Sequence, residues 1–112
     1  MYDKPKNQTF HVSGIQHIAP TDAWEMLQSG KAILLDVREP FELGHQKLDL
    51  PDEHVLHIPM MTLIDRLDEV PMNKTILVLC VIGERSAKIT NLLKHQGFTD
   101  VVNVDGGVCA CR

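Results

Sequence analysis

Residues 75–86 read "TILVLCVIGERS". Their first part, "TILVLC" at 75–80, is a short continuous apolar run. That is the mark of a strand buried on both faces, and hence of a parallel sheet. A cysteine ends the run, Gly83 sits in the middle of the next few residues, and Arg85 and Ser86 close the stretch. From Arg85 the hydrophobic period changes. "RSAKITNLLKHQGF" (85–98) carries Ile89, Leu92 and Leu93 on one helical face. Gly97 followed by Phe98 fits a left-handed helix end with an apolar contact after it.

The same alternation extends outward in both directions. "AILLD" (32–36) is a second buried strand, "VLHI" (55–58) and "VVNV" (101–104) are shorter ones, and "SGIQHI" (13–18) suits an edge strand. Pro20 opens a helix over "TDAWEMLQSG", stopped by Gly30. "PMMTLIDRLDEVP" (59–71) places Met60, Leu63, Ile64 and Leu67 at helical spacing and ends at Pro71. "VREPFELGH" and "QKLDLPDEH" read as loop, the first with one helical turn. Strands alternating with helices predict an α/β fold: a mainly parallel central sheet flanked by helices on both faces. Residues 1–10 are polar and expected to be a flexible N-terminal segment, with a single domain over 11–112.

Composition narrows the function. The 112-residue chain is 44% hydrophobic, which suits one globular core, and its formal charge of -4 offers no general basic surface for nucleic acid. No apolar run is long enough to span a membrane, and "MYDKPKNQTFHV" lacks the apolar core of a secretory signal. A cytoplasmic location is the expectation, although a chain whose signal had been removed would read the same. Three cysteines, Cys80, Cys109 and Cys111, make a poor disulfide framework and read as thiols.

In open parallel sheets, function collects beyond the C-terminal ends of the strands. Those ends present Asp36 with Arg38, then Cys80, then Asp105-Gly106-Gly107. A helix beginning directly after the Cys80 loop supplies unpaired backbone N–H groups and a positive dipole end. Gly83 lets the loop curl, so that several amides point at one centre and form an anion nest. Cys80 at that centre is favoured as its nucleophilic thiolate, and Arg85 adds a fixed charge with planar donors. Alone, Cys80 reads as a small buried hydrophobe. The combination of strand, cysteine, glycine loop, arginine and helix favours chemistry.

These segments resemble the rhodanese family. "LLDVREPFELGH" (34–45) is similar to its first signature, "CVIGERSA" (80–87) to its active-site loop, "HIPM" (57–60) to the approach to its middle helix, and "GFTDVVNVDGGV" (97–108) to its closing segment. The resemblance implies a sulfurtransferase in which Cys80 takes a sulfane sulfur as a persulfide. The donor would be thiosulfate or a thiol persulfide, and the acceptor cyanide or another thiol. It implies that Arg85 and the loop of Val81, Ile82, Gly83, Glu84 and Ser86 hold the persulfide, and that Asp36 and Arg38 brace that loop. It implies no cofactor. The related phosphatases use a longer loop between Cys and Arg. The shorter ring here, with Glu84 at its mouth, favours sulfur over a phosphate dianion.

Three departures from the family pattern stand out. Val81 and Ile82 follow the cysteine where many members have a cation, which makes a partner protein or a small persulfide plausible as donor. Gly44-His45 is followed by "QKLDLPDEHVLH" (46–57), longer by about six residues than the usual spacing, which a surface loop tolerates. Either an inert insertion or a donor-recognition loop fits. Cys111 stands where the family usually has Trp. Cys109 and Cys111 read as packing residues, as resolving or relay thiols, or as metal ligands, although their spacing matches no standard zinc pattern. His11, His17, His45, His54, His57 and His95 read as surface or satisfied histidines. A non-catalytic binding module and a Cys-dependent phosphatase or arsenate reductase are the competing functions.

Overall fold

A computed structural model of the chain describes residues 1–44 and 46–111. His45, the end of the first signature, and Arg112 lie outside the described residues. Five strands form one parallel sheet: β1 (Gln16–Ile18), β2 (Ala32–Asp36), β3 (Val55–His57), β4 (Thr75–Leu79) and β5 (Val101–Val104). Their order is β1-β5-β4-β2-β3, so β4 lies at the centre. The helices are α1 (Pro20–Gln28), α2 (Pro40–Leu43), α3 (Met60–Leu63) and α4 (Glu84–His95), with 3₁₀ turns at Asp52–His54, Ile64–Glu69 and Val108–Cys111. No helix among the described residues is long and apolar enough to cross a membrane.

The unbroken apolar run of β4 divides strictly by face. Ile76 and Val78 pack with Leu63, Ile89, Leu93 and Phe98 on the α3 and α4 side. Leu77 and Leu79 pack with Ala23, Leu27 and Val108 on the α1 side. From Ile76 to Leu79 alternate side chains enter two apolar cores, which is why the run reads as continuous, while the polar Thr75 at the strand's start donates its hydroxyl to Asp100 at 2.7 Å. α4 buries Ser86, Ala87, Ile89, Thr90 and Leu93, one face at helical spacing. Its end closes as the sequence predicts: Gly97 has φ 97°, and the Phe98 amide donates to the Leu93 carbonyl at 3.0 Å.

Two expectations change. The single helix over 59–71 is one α-turn followed by a 3₁₀ stretch, broken by non-helical dihedrals at Arg66 (φ -126°, ψ 21°). Leu63 and Val70 are buried while Ile64 is exposed, so the apolar spacing is met by two short pieces instead of one stripe. Residues 1–10, expected to be loose, are tied to the domain. Tyr2 pairs antiparallel with His17 through amides at 2.9 and 2.8 Å. The buried Asp105 carboxylate accepts from the Tyr2 hydroxyl at 2.6 Å and from the amides of Lys6 and Asn7 at 2.8 and 3.0 Å. Desolvation and this carboxylate push the Tyr2 phenol above its ordinary range, so it remains a donor.

Leu77→Ala empties a fully buried site in the central strand and is expected to cost about 3 kcal/mol. Ile64→Ala should stay within about 0.5 kcal/mol, because its side chain faces water. Urea unfolding of both variants checks the split; a large loss for Ile64→Ala would restore the continuous helix.

Candidate active site

Cys80 is the first residue beyond β4, and its side chain is fully buried. The sulfur accepts the backbone N–H of Gly83 at 3.1 Å and of Ser86 at 3.3 Å. Both amides lie where β4 gives way to α4, so the helix N-terminus is aimed at the sulfur. The curl needs Gly83 at φ 94°, a backbone region that side chains other than glycine rarely enter. The Cys80 thiol donates to the Ser86 hydroxyl at 3.2 Å. The arrangement holds a sulfur anion by fixed dipoles that need no rearrangement when charge develops.

The closing segment forms the back wall. Val108 N–H donates to the Cys80 carbonyl at 2.9 Å and Cys109 N–H to the Val81 carbonyl at 3.0 Å. Gly107, at φ 64°, lies so close that an added Cβ would meet the Cys80 oxygen at 2.5 Å. Of the segment that follows β5, Gly107 and Val108 meet Cys80, while the Asp105 carboxylate turns to Tyr2, Lys6 and Asn7.

Arg85 differs from expectation. Its guanidinium grips Glu42 with two bonds, Nη1 to Oε1 and Nη2 to Oε2, both 2.7 Å. Glu42 Oε1 also accepts the Glu39 amide at 2.9 Å, which anchors the pair to α2. Arg85 therefore presents a compensated charge, and none of its described hydrogen bonds goes to Cys80. Its bond to Glu42 raises Arg85 above its ordinary value and holds the Glu42 carboxyl below the usual carboxylate range. Sequence reasoning missed Glu42; the available signal was an acid on a neighbouring strand-end loop.

Asp36 and Arg38 also differ. Each is 2% exposed, and they bond mainly to one another: Arg38 Nη2 to Asp36 Oδ2 at 2.8 Å and Arg38 Nε to Asp36 Oδ1 at 3.0 Å. Arg38 Nη1 reaches the Gln46 carbonyl at 2.5 Å, and the Arg38 carbonyl meets His57 Nε2 at 2.7 Å. Among the described residues neither side chain bonds to 80–86. The pair ties the end of β2 to Gln46, and its link to Cys80 is the backbone bond from Val37 N–H to the Leu79 carbonyl at 3.0 Å.

The mouth is apolar, with Ile82 55% exposed and Glu84 also facing water. Cys109 is exposed and accepts from Gln46 Nε2 at 3.6 Å, while Cys111 is half-buried and donates to the Gly107 carbonyl at 3.1 Å. Burial pushes the Cys111 thiol up to about 11. No three His, Cys, Asp or Glu side chains gather as metal ligands among the described residues.

The family described as Rhodanese-like domain matches residues 19–110. The thiosulfate sulfurtransferase GlpE of Pseudomonas syringae is 35% identical over 94 residues, covering 82% of each chain. A rhodanese-like domain protein from Staphylococcus aureus superposes with a TM-score of 0.75 at 29% identity, over 88% of this chain and 92% of that one. The reduced CoADR-RHD structure from Bacillus anthracis gives a TM-score of 0.77 at 32% identity over 87% of this chain, which spans only 16% of that longer chain.

Glu42→Gln is expected to lower stability at pH 7 by roughly 1 kcal/mol, since a bidentate pair reached by solvent contributes modestly. Glu42 is depressed below its ordinary 4.5, so the contribution is complete above that value and is lost as pH falls through the folded one. Unfolding curves of wild type and variant should therefore converge as pH falls below the ordinary carboxylate range. With iodoacetamide at pH 7.5, peptide mapping should find Cys109 modified before Cys111, whose thiol stays protonated.

Proposed function

This chain belongs to the rhodanese-like domain family, and from that premise we propose that it is a sulfurtransferase carrying its sulfur on Cys80. The observation that supports this most directly is the convergence of the Gly83 and Ser86 amides on the Cys80 sulfur. The Cys80 thiolate attacks the sulfane sulfur of a donor. A new S–S bond forms, and the bond from that sulfur to the rest of the donor breaks. The electron pair leaves with the donor remnant: sulfite from thiosulfate, or a thiolate from a thiol persulfide. The persulfide's charge then sits on the outer sulfur, within reach of the loop amides. An acceptor thiolate or cyanide attacks that outer sulfur and releases the Cys80 thiolate, so the cycle needs neither an oxidant nor a cofactor.

The geometry speaks to the donor. Arg85 is neutralised by Glu42, Val81 and Ile82 make the approach apolar, and Glu84 adds a negative charge beside it. Such a mouth attracts the thiosulfate dianion weakly and suits a thiol persulfide, small or on a partner protein. The relatives' name supports thiosulfate as a chemically competent donor all the same.

Incubation with a small thiol persulfide should add one sulfur to the intact mass, removable by reductant and absent in Cys80→Ser. Thiosulfate at equal concentration should load the chain more slowly. Robust hydrolysis of an aryl phosphate, lost in Cys80→Ser, would overturn the assignment in favour of a phosphatase.

A further inference from the structure

A line of buried polar groups runs from the Cys80 sulfur to the surface, and the mechanism above uses only its first member. The Ser86 hydroxyl lies 3.2 Å from the sulfur and 2.5 Å from Asn103 Oδ1. Asn103 Nδ2 lies 3.0 Å from His17 Nδ1, and His17 Nε2 lies 3.1 Å from Nδ1 of the exposed His11. Ser86, Asn103 and His17 are each 0% exposed. His17 and Asn103 are register partners on β1 and β5, directly beneath the start of α4.

Gln8 fixes the direction of every bond in this line. Its Oε1 accepts the Gly106 backbone N–H at 2.8 Å, and its Nε2 donates to the carbonyls of Phe10 and Gly83 at 2.8 and 3.0 Å. A backbone amide only donates and a carbonyl only accepts, so the Gln8 side chain has one orientation. Asn103 faces Gln8 Oε1 at 3.1 Å and must present its NH₂ group there. The amide oxygen of Asn103 then faces Ser86, and His17 Nδ1 must accept. His17 therefore carries its proton on Nε2, and donates it to His11. Burial holds His17 below the ordinary histidine value, in keeping with a neutral ring. The single Ser86 proton is committed to Asn103, which leaves the hydroxyl able only to accept from the Cys80 thiol.

We propose that Gln8 and His17, acting through Asn103, are positioning residues that turn the Ser86 proton away from Cys80. Both precede residue 19, where the family match begins. The consequence distinguishes two states of the sulfur. A bare thiolate faces an oxygen lone pair at Ser86 and gains only the two amides. In the persulfide the charge moves outward by one S–S bond, about 2 Å, and leaves that lone pair behind. The device favours the loaded cysteine over the empty thiolate. This rests on the reading of Cys80 as the reacting sulfur.

The test begins on the wild-type protein with ¹⁵N-labelled histidine. At neutral pH, His17 should show a protonated Nε2 and a bare Nδ1 in its nitrogen–proton correlations. The opposite tautomer would mean a reversed Asn103 amide and would overturn the proposal. The second arm is Asn103→Leu, which removes the oxygen that holds the Ser86 proton and frees the hydroxyl to turn towards the sulfur. Iodoacetamide should then modify Cys80, followed by peptide mass, roughly threefold faster, the net of a larger thiolate fraction and an intrinsically weaker nucleophile. In a Ser86→Ala background the same change should leave the rate unaltered. An acceleration equal in both backgrounds, or absent from both, would also overturn the proposal. If Asn103→Leu does not fold, the wild-type tautomer decides alone. Neither arm uses a sulfur donor, so failure to load sulfur counts against the proposed function and not against this device.

Discussion

The structure depends on bringing backbone amides to a buried sulfur. Cys80 has lost all contact with water, so any charge on it must be met by fixed donors. The Gly83 and Ser86 amides do this, and only because the loop turns through a left-handed glycine directly into α4. The rest of the fold serves that turn. β4 at the sheet centre fixes where the loop begins, α4 fixes where it ends, and Gly107 lets the 105–109 segment close against the Cys80 and Val81 carbonyls. A side chain at Gly83 or Gly107 would open the cradle from the front or from behind.

Charge around this cradle is paired. Asp36 with Arg38 and Glu42 with Arg85 each place a guanidinium against a carboxylate, one pair fully desolvated and the other at the rim. A buried pair contributes less to stability than its Coulomb attraction suggests, because both ions have left water. Its value here is geometric. Arg38 spans from the end of β2 to the Gln46 carbonyl, and Arg85 ties α4 to α2. The loops that surround Cys80 are held to each other by arginines, while the sulfur itself is held by the backbone.

The division between what the sequence disclosed and what it concealed tracks the range of the interactions. β4, α4 and the Gly97 cap were legible because their causes are local: alternation into two cores, a 3.6-residue stripe, and a left-handed residue followed by a phenylalanine. The Cys80 loop was legible because its strand, glycine and helix are contiguous. The partner of Arg85 lies 43 residues away, and Asp105 meets Tyr2 from 103 residues away. No spacing rule connects such residues. Arg85 therefore read as an unpaired cation, residues 1–10 as a loose end, and His17 as an ordinary satisfied histidine. The 59–71 segment misled differently. Its apolar spacing fits a helix, yet Leu63 and Val70 reach the core only because the chain breaks at Arg66 between them.

The insertion and the altered C-terminus belong to one packing problem. Where the family resemblance expects a tryptophan, Cys111 supplies far less apolar surface. Leu48 and Leu50, both inside the 46–57 insertion, pack against the same cluster as Cys111 and Trp24. Together with Val108 and polar residues that include Gln28 and Asp49, these residues line a cleft of about 550 Å³ that is open to solvent. Cys111 packs against this cluster, burial raises its thiol to about 11, and the thiol donates to the Gly107 carbonyl. Cys109, two residues earlier and exposed, has no comparable packing role, and its backbone amide, donated to Val81, is what ties it to the site.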